Sequence, residues 1–445
     1  MNLLENFSKG ERNQGNFVTT LVLITVCFAL WGFTNDIAGV MVGAFSRIFV
    51  LNMTQASMVN VASFLGYFVA AIPAAIFTQR YTYKRGVILS LSIYAAGIFL
   101  LLPAEGWGVF QGFLLAYFVM TCGSAALETC CHPLVYRMGD IDKGIFRLNL
   151  AQAFNALGAC IGILVAISAI TEKLNNTPAE VRMDMPKAQF EILKHSDLNI
   201  IIQPYLYVAA AIFLLIVLIW ATKFYVHQKE NKTGMPGEAF RRLLHVRNYR
   251  EGLIAEFFYI GAQICIFTYI LVYGKRLFMT EGMQELEAET LVSHYSMVAF
   301  LIFAAMRFLS TWLLTFIAPG RLLSAMAIIG ILAVTGSIIF TDRNGLYCLL
   351  VAHGALSMMF PTIYGMALRN VGDDVKYASA GLTMMVFAGA VVPPLQAAII
   401  EWGKDVLGLP AVNISFIVPL VCLMVVVYYG HAGYVRHHIT HDYES

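Results

Sequence analysis

The segment Leu127-Glu128-Thr129-Cys130-Cys131-His132-Pro133 sets a carboxylate and an imidazole inside a long apolar stretch. An acid embedded in hydrocarbon costs about 2.5–3.5 kcal/mol on insertion scales, and chains that carry one use it to line a polar cavity, where it handles a substrate, an ion or a proton. Glu128 and His132 lie four residues apart, so on a helix they share one face. An imidazolium there would favour the carboxylate, while burial would favour the neutral acid. Such opposed terms suit a group that exchanges a proton within a membrane. The plainer roles are an interhelical hydrogen bond for Glu128 and packing for His132.

Other polar groups recur within apolar runs. Trp31-Gly32-Phe33-Thr34-Asn35-Asp36 places an acid, Asp36, in the first run, where it would share a central cavity with Glu128 or else sit at the outer interface. Asn149, Gln152 and Asn155 recur every three residues in the fifth run. Amides both donate and accept, which suits the vicinal hydroxyls of a sugar. Gln152 and Asn155 are assigned to sugar contact, with hydrogen bonding between helices as their plainer role, and Asn149 is assigned to holding helices together. In the seventh run Glu256, Tyr259 and Gln263 share a face, and Gln263 is the deeper ligand candidate. Arg307 in the eighth run would pair with an acid, anchor an inner gate or snorkel to the interface. His353, Phe360 and Tyr364 lie in the tenth run, where an aromatic such as Phe360 could stack on a pyranose ring or simply pack. Basic turns at Arg80 to Arg85 and at Gly320-Arg321 occupy matching positions, and Arg85 is expected to act in gating through helix dipoles and lipid phosphates rather than on substrate.

The elements that must hold these groups follow from composition. The 445 residues are 59% hydrophobic and 13% charged, with a mean hydropathy of +0.71. Soluble domains carry about 25% charged residues, so an integral helical membrane protein is the class that fits. No basic patch interleaved with aromatics points to nucleic acid. The eight cysteines have neither zinc-ligand nor disulfide-framework spacing, so no metal or cofactor is expected. No small-residue cleavage site follows the first apolar run, which is expected to remain as a membrane helix.

Twelve apolar runs are long enough to span a bilayer: 17–40, 56–78, 86–103, 109–134, 147–170, 201–224, 251–274, 291–317, 322–340, 346–367, 377–400 and 412–434. The polar connection from Glu172 to Asn199 is placed outside. With the amino terminus inside, the cytoplasmic loops and tails hold 19 of the 29 Lys and Arg residues and the opposite side holds nine. Both termini and the central basic loop are therefore expected in the cytoplasm. The halves also repeat: Pro133 precedes Gly139-Asp140, and Pro361 precedes Gly372-Asp373. The expected fold is an all-α membrane protein of twelve helices, with six in residues 1–226, a cytoplasmic loop at 227–250 and six in 251–445.

Two stretches are highly specific, Leu127-Glu128-Thr129 with Pro133 and Phe146-Arg147-Leu148-Asn149-Leu150-Ala151-Gln152 with Phe154-Asn155, and four support them: Phe28-Ala29-Leu30-Trp31 with Asn35-Asp36; Tyr259-Ile260-Gly261-Ala262-Gln263; Arg307-Phe308 with Thr311-Trp312; and Pro361-Thr362-Ile363. Through them the chain resembles the fucose–galactose–glucose:proton symporter family of the major facilitator superfamily, and within it the L-fucose permeases. The resemblance implies a central monosaccharide site and one proton per sugar moving inward. It makes Glu128 the proton-linked acid and Asn35, Asp36, Gln152 and Asn155 parts of the sugar site. Two departures stand out. Fucose permeases carry their first-helix aspartate about one turn later, at the position of Gly39, so Asp36 would replace it at another depth; and His132 stands where the family often has asparagine. The expected partners are a monosaccharide, a proton and the lipid bilayer of the inner membrane, with a monomeric carrier. The alternatives are a glucose, galactose or other hexose carrier, a facilitator without proton coupling, and a sugar-sensing membrane receptor. No nucleophile–base set suggests an enzyme.

Overall fold

The computed structural model describes residues 2–444 apart from 52, 57, 176, 178, 225–233, 235, 404, 406 and 407; the side chains of 2–15, 36, 38–40, 42, 53, 54, 171, 179, 180 and 434–444 are also outside the description. Among the described residues, twelve helices are long and apolar enough to cross a bilayer. They are α1 (Asn16–Asn35), α2 (Met58–Arg80), α3 (Tyr83–Trp107), α4 (Phe110–Arg137), α5 (Gly144–Ile170), α6 (Lys187–Ala221), α7 (Arg247–Thr280), α8 (Glu285–Leu313), α9 (Pro319–Ile339), α10 (Arg343–Ala367), α11 (Gly372–Trp402) and α12 (Ala411–Gly433). At 1.5 Å per residue, even the shortest, at 20 residues, matches a hydrocarbon core about 30 Å thick. The chain is a multi-pass membrane protein. The apolar segments of α4 and α10 are the most enclosed, at 61% and 78% buried.

Two helices start furthest ahead of their apolar runs, α6 and α8. α6 begins at Lys187, directly after Pro186, so the polar connection from Glu172 is half helix. Its Lys, Gln, Glu and Leu residues are good helix formers, and propensity prevails over polarity there. The rest of that connection is fixed by Arg182, whose guanidinium donates to Asp197 at 2.7 Å and to the carbonyls of Asn175 and Thr177. α8 begins with Glu285 and Glu287, acids that complement the positive end of a helix dipole.

The chain packs as two compact units. Unit 1 holds Met1–Gly144, Phe154–Pro236 and Val375–Met384, and unit 2 holds Ile145–Ala153, Gly237–Asp374 and Met385–Ser445. Unit 1 therefore includes an early stretch of α11, and unit 2 the start of α5. Of the central connection 227–250, residues 227–233 and 235 lie outside the described residues. The short helix Pro236–His245 that follows is tied by Arg242, which grips both oxygens of Asp374 at 2.8 Å.

In unit 1, α5 lies directly on α1. Gly158 and Gly162 are one turn apart, and a Cβ at either would strike the carbonyl of Ala29 or Phe33. This is the close backbone approach that small residues four apart permit in a membrane. At the end of α6, Lys84 donates to the carbonyls of Trp220 and Thr222, each at 2.8 Å, and caps groups that the helix leaves unpaired.

Proline governs both enclosed helices. Pro133 has no N–H, so the carbonyl of Thr129, four residues earlier, loses its helical donor. The hydroxyl of Ser379 in α11 donates to it instead, at 2.9 Å, within unit 1. Pro361 in α10 deprives the carbonyl of Ser357 in the same way. The regular α-helix stops at Leu356 and resumes at Met359, and Arg307 Nε of α8 donates to the Ser357 carbonyl at 2.5 Å, within unit 2.

Candidate functional site

In unit 1, α4 places Ser124, Glu128 and His132 on one face at successive turns, with α1 and α2 contributing the facing groups. The Tyr67 hydroxyl is the hub. It accepts from Trp31 Nε1 at 2.8 Å and from Asn35 Nδ2 at 3.2 Å, and lies 3.2 Å from Ser124 Oγ. With both acceptor positions used, the Tyr67 proton is directed to Ser124. Glu128 is 2% exposed and close enough to the Tyr67 hydroxyl to interact electrostatically. His132, fully buried, packs against Phe28 with ring centres 5.1 Å apart and sets its edge toward Trp31.

Glu128 differs from the hub residues Trp31, Asn35, Tyr67 and Ser124, which are hydrogen-bonded to one another through Tyr67. The ionisable His132 ring sets Nδ1 3.6 Å from a carboxyl oxygen, beyond a good hydrogen bond. Neither carboxyl oxygen accepts a hydrogen bond from any described residue. A buried acid in that position is satisfied by taking a proton or by accepting from an arriving donor. The site can therefore exchange a proton or hold a hydroxyl, and among the described residues no structural hydrogen bond satisfies the carboxyl.

The other groups expected in the first half divide. Asn35 joins the Tyr67 hub and is half-buried. Asp36 and Gly39 have side-chain positions outside the described residues. Asn155 donates to the carbonyl of Phe28 at 3.1 Å, so its N–H helps hold α5 to α1. Arg85 is exposed, lies over Tyr81 at 5.7 Å and sits in the first turn of α3, whereas its neighbour Lys84 reaches a carboxyl-terminal helix end.

In unit 2, the start of α5 brings Asn149 and Gln152 to α8 and α10. Asn149 donates to Thr362 Oγ1 at 3.2 Å and to the carbonyl of Ile145. Gln152 meets Arg307, whose Nη1 lies 3.1 Å from its backbone oxygen and 3.4 Å from its side-chain oxygen. Arg307 is 4% exposed, does not snorkel, and stands over the Phe303 ring at 4.8 Å. Among the described residues it has no carboxylate within 4.0 Å; backbone oxygens surround it, where an acid was one expectation. Gln263 is half-buried and hydrogen-bonds to no described residue. Phe360 is buried between Tyr259 and Tyr364, with ring centres at 6.4 and 5.7 Å.

Sequence reasoning missed Trp31, Tyr67 and Ser124. Two of the three leave a trace, because Trp31 precedes Asn35 by four residues and Ser124 precedes Glu128 by four. Tyr67 has no local signal; only the packing of α2 against α1 and α4 reveals it.

Comparison with known proteins supplies the relationship. Residues 22–394 match the model of the Major Facilitator Superfamily. A protein of Haemophilus influenzae described as an L-fucose-proton symporter is 38% identical over 424 residues, covering 93% of this chain and 96% of its own. An L-fucose-proton symporter of Escherichia coli K12 is 30% identical over 92% of both chains. A glucose/galactose transporter of Brucella abortus is 27% identical over 97% of both. The crystal structure of the transporter FucP in its outward conformation superposes with a TM-score of 0.84 at 28% identity, covering 94% of this chain and 99% of that one. The chain thus belongs to the Major Facilitator Superfamily, a family of membrane transporters rather than enzymes, and to the part of it that contains the L-fucose-proton symporters.

Proposed function

We propose that this protein imports a monosaccharide of the L-fucose type together with a proton, by alternating access. The observation that carries the reading is the Glu128 carboxyl, buried at 2% exposure beside His132 and the Tyr67 hub, with neither oxygen hydrogen-bonded to a described residue. In the proposed cycle Glu128 takes a proton from the outside and becomes neutral. Sugar then binds, and the neutral, loaded carrier turns inward, because carrying an unpaired charge through a closed state is unfavourable. Sugar leaves, Glu128 releases its proton to the cytoplasm, and the empty carrier returns. Asn35, Asp36, Gln152, Asn155, Gln263 and Phe360 are the proposed sugar contacts, with Asp36 a second proton-linked acid. His132, Arg307 and Arg85 are proposed to tune or gate.

The same reading places the carrier in the inner membrane as a monomer, with both termini in the cytoplasm. Residues 1–226 and 251–445 are its moving halves, joined by the loop 227–250. The proton is the coupling ion, and no other cofactor is invoked. The test is uptake of labelled L-fucose by cells expressing the chain, with the external pH recorded and with glucose and galactose as competitors. Sugar-evoked alkalinisation of the medium and weak competition by glucose are expected. Uptake without alkalinisation would make the protein a facilitator. Strong competition by glucose or galactose would favour the second reading, a hexose carrier, which the glucose/galactose transporters at 27% identity support.

A further inference from the structure

A second set of polar atoms lies in unit 2. His353 of α10 is fully buried, and its ring stacks on Phe267 of α7, with centres 4.6 Å apart and planes 11° from parallel. Its Nδ1 is 2.7 Å from the carbonyl of Leu349. A carbonyl only accepts, so Nδ1 carries the hydrogen and the tautomer is set. In the neutral ring, Nε2 is then a bare acceptor. It is buried, and no described residue donates to it. Stacking and the Leu349 bond fix the ring in position and direction.

The register of α7 against α10 shows what stands nearby. The Tyr259 hydroxyl donates to the carbonyl of Leu356 at 3.0 Å, and Phe267 stacks on His353. The helices run antiparallel, and Gln263 lies one turn from each of these two contacts on the same face of α7. Its amide is therefore level with the stretch from His353 to Ser357. Gln263 hydrogen-bonds to no described residue, and neither does the buried hydroxyl of Ser357. Three uncommitted polar groups thus gather at one level on facing helices. Buried polar atoms in native proteins nearly always have partners, and the group that would complete this set must donate to His353 Nε2 while also exchanging hydrogen bonds with an amide. Adjacent hydroxyls on a sugar ring do both.

We propose that His353 and Gln263 form a hydroxyl-reading subsite in which a sugar O–H donates to His353 Nε2 and a neighbouring hydroxyl pairs with the Gln263 amide. This rests on the monosaccharide reading above and assigns to His353 a role in choosing the sugar. An acceptor that meets only a donor rejects any analogue lacking that donor, because the ring nitrogen is then left buried and unpaired.

The experiment measures binding of L-fucose and its single-position deoxy and fluoro analogues to the purified full-length carrier and to His353→Phe and Gln263→Leu variants. In the native carrier one position should stand out, with both deoxy and fluoro analogues weakened about 10- to 100-fold, since fluorine cannot donate. His353→Phe keeps a ring to stack on Phe267 but has no acceptor. It should weaken L-fucose by a similar factor and leave that one pair of analogues unchanged, while the other analogues keep their ranking. Gln263→Leu should do the same at an adjacent position, and serves by itself if His353→Phe fails to fold. If L-fucose binds but both variants weaken every analogue equally, or not at all, the subsite is wrong and the transporter reading stands. If the native carrier binds neither L-fucose nor glucose or galactose, both fall together.

Discussion

The two enclosed helices α4 and α10 solve the same backbone problem with different chemistry. Each carries a proline, at 133 and 361, and each proline strips a carbonyl four residues earlier of its helical donor. In α4 the missing donor is replaced by a neutral hydroxyl from Ser379. In α10 it is replaced by the guanidinium of Arg307, a permanent charge held among backbone oxygens and over an aromatic face. The position five residues before each proline differs as well: Glu128 in the first half and Leu356 in the second. Beside one proline the chain thus holds an acid that can change its charge, and beside the other a cation that cannot; Glu256 of α7 is a further buried acid, in unit 2. A proton-coupled carrier needs one switchable group, and a permanently charged residue tied to backbone carbonyls serves architecture or gating instead.

If that contrast is right, removing the cation should hurt stability most. Arg307→Met leaves the Ser357 carbonyl buried without a donor and removes the contact with Phe303, and is expected to destabilise the folded carrier by about 2–3 kcal/mol. Thermal unfolding in detergent, or urea titration of the reconstituted protein, reads this. An unchanged midpoint would mean that the guanidinium is not structural.

The first-half counterpart is a smaller effect with a sharper signature. Ser379→Ala should cost about 1 kcal/mol in the native background. In a Pro133→Ala background, where residue 133 again offers an N–H to Thr129, the same change should cost almost nothing, within roughly 0.3–0.5 kcal/mol of zero. Equal costs in both backgrounds would break the argument that the hydroxyl replaces proline's absent donor.

The smallest stability effect is expected at the most functional position. Glu128 accepts no hydrogen bond from a described residue, so Glu128→Gln should leave the unfolding midpoint unchanged or raise it slightly, by no more than about 1 kcal/mol. A large loss would show that the carboxyl is a structural anchor and would erase the difference between the halves.

What could be read ahead of the structure follows the range of the forces involved. The twelve spans are local, since each is an apolar run of bilayer length, and all twelve form. The shared face of Glu128 and His132 is local too, fixed by helical periodicity. The repeat Pro133/Pro361 was visible as a pattern, but the partners of the stripped carbonyls, Ser379 and Arg307, lie 250 and 50 residues from them in the chain. Tyr67 lies 36 residues from Trp31 and 57 from Ser124, and only helix packing assembles that hub. Amides were the hardest to read. Asn149 and Asn155 bond across helices, to Thr362 and to the Phe28 carbonyl, Gln152 meets Arg307, and Gln263 hydrogen-bonds to no described residue, although the residue types are nearly interchangeable on paper. Polarity in an apolar run marks a group that needs a partner; it does not say whether that partner is protein or cargo.

The central claim, that Glu128 is the group whose protonation links sugar movement to the proton gradient, is tested most directly by one measurement on the Glu128→Gln carrier in proteoliposomes. Labelled sugar exchange under equal sugar on both sides is compared with accumulation under an imposed proton gradient. Exchange close to the native rate together with loss of accumulation is the expected result. Full proton-driven accumulation by the glutamine variant would contradict it and remove Glu128 from the coupling step.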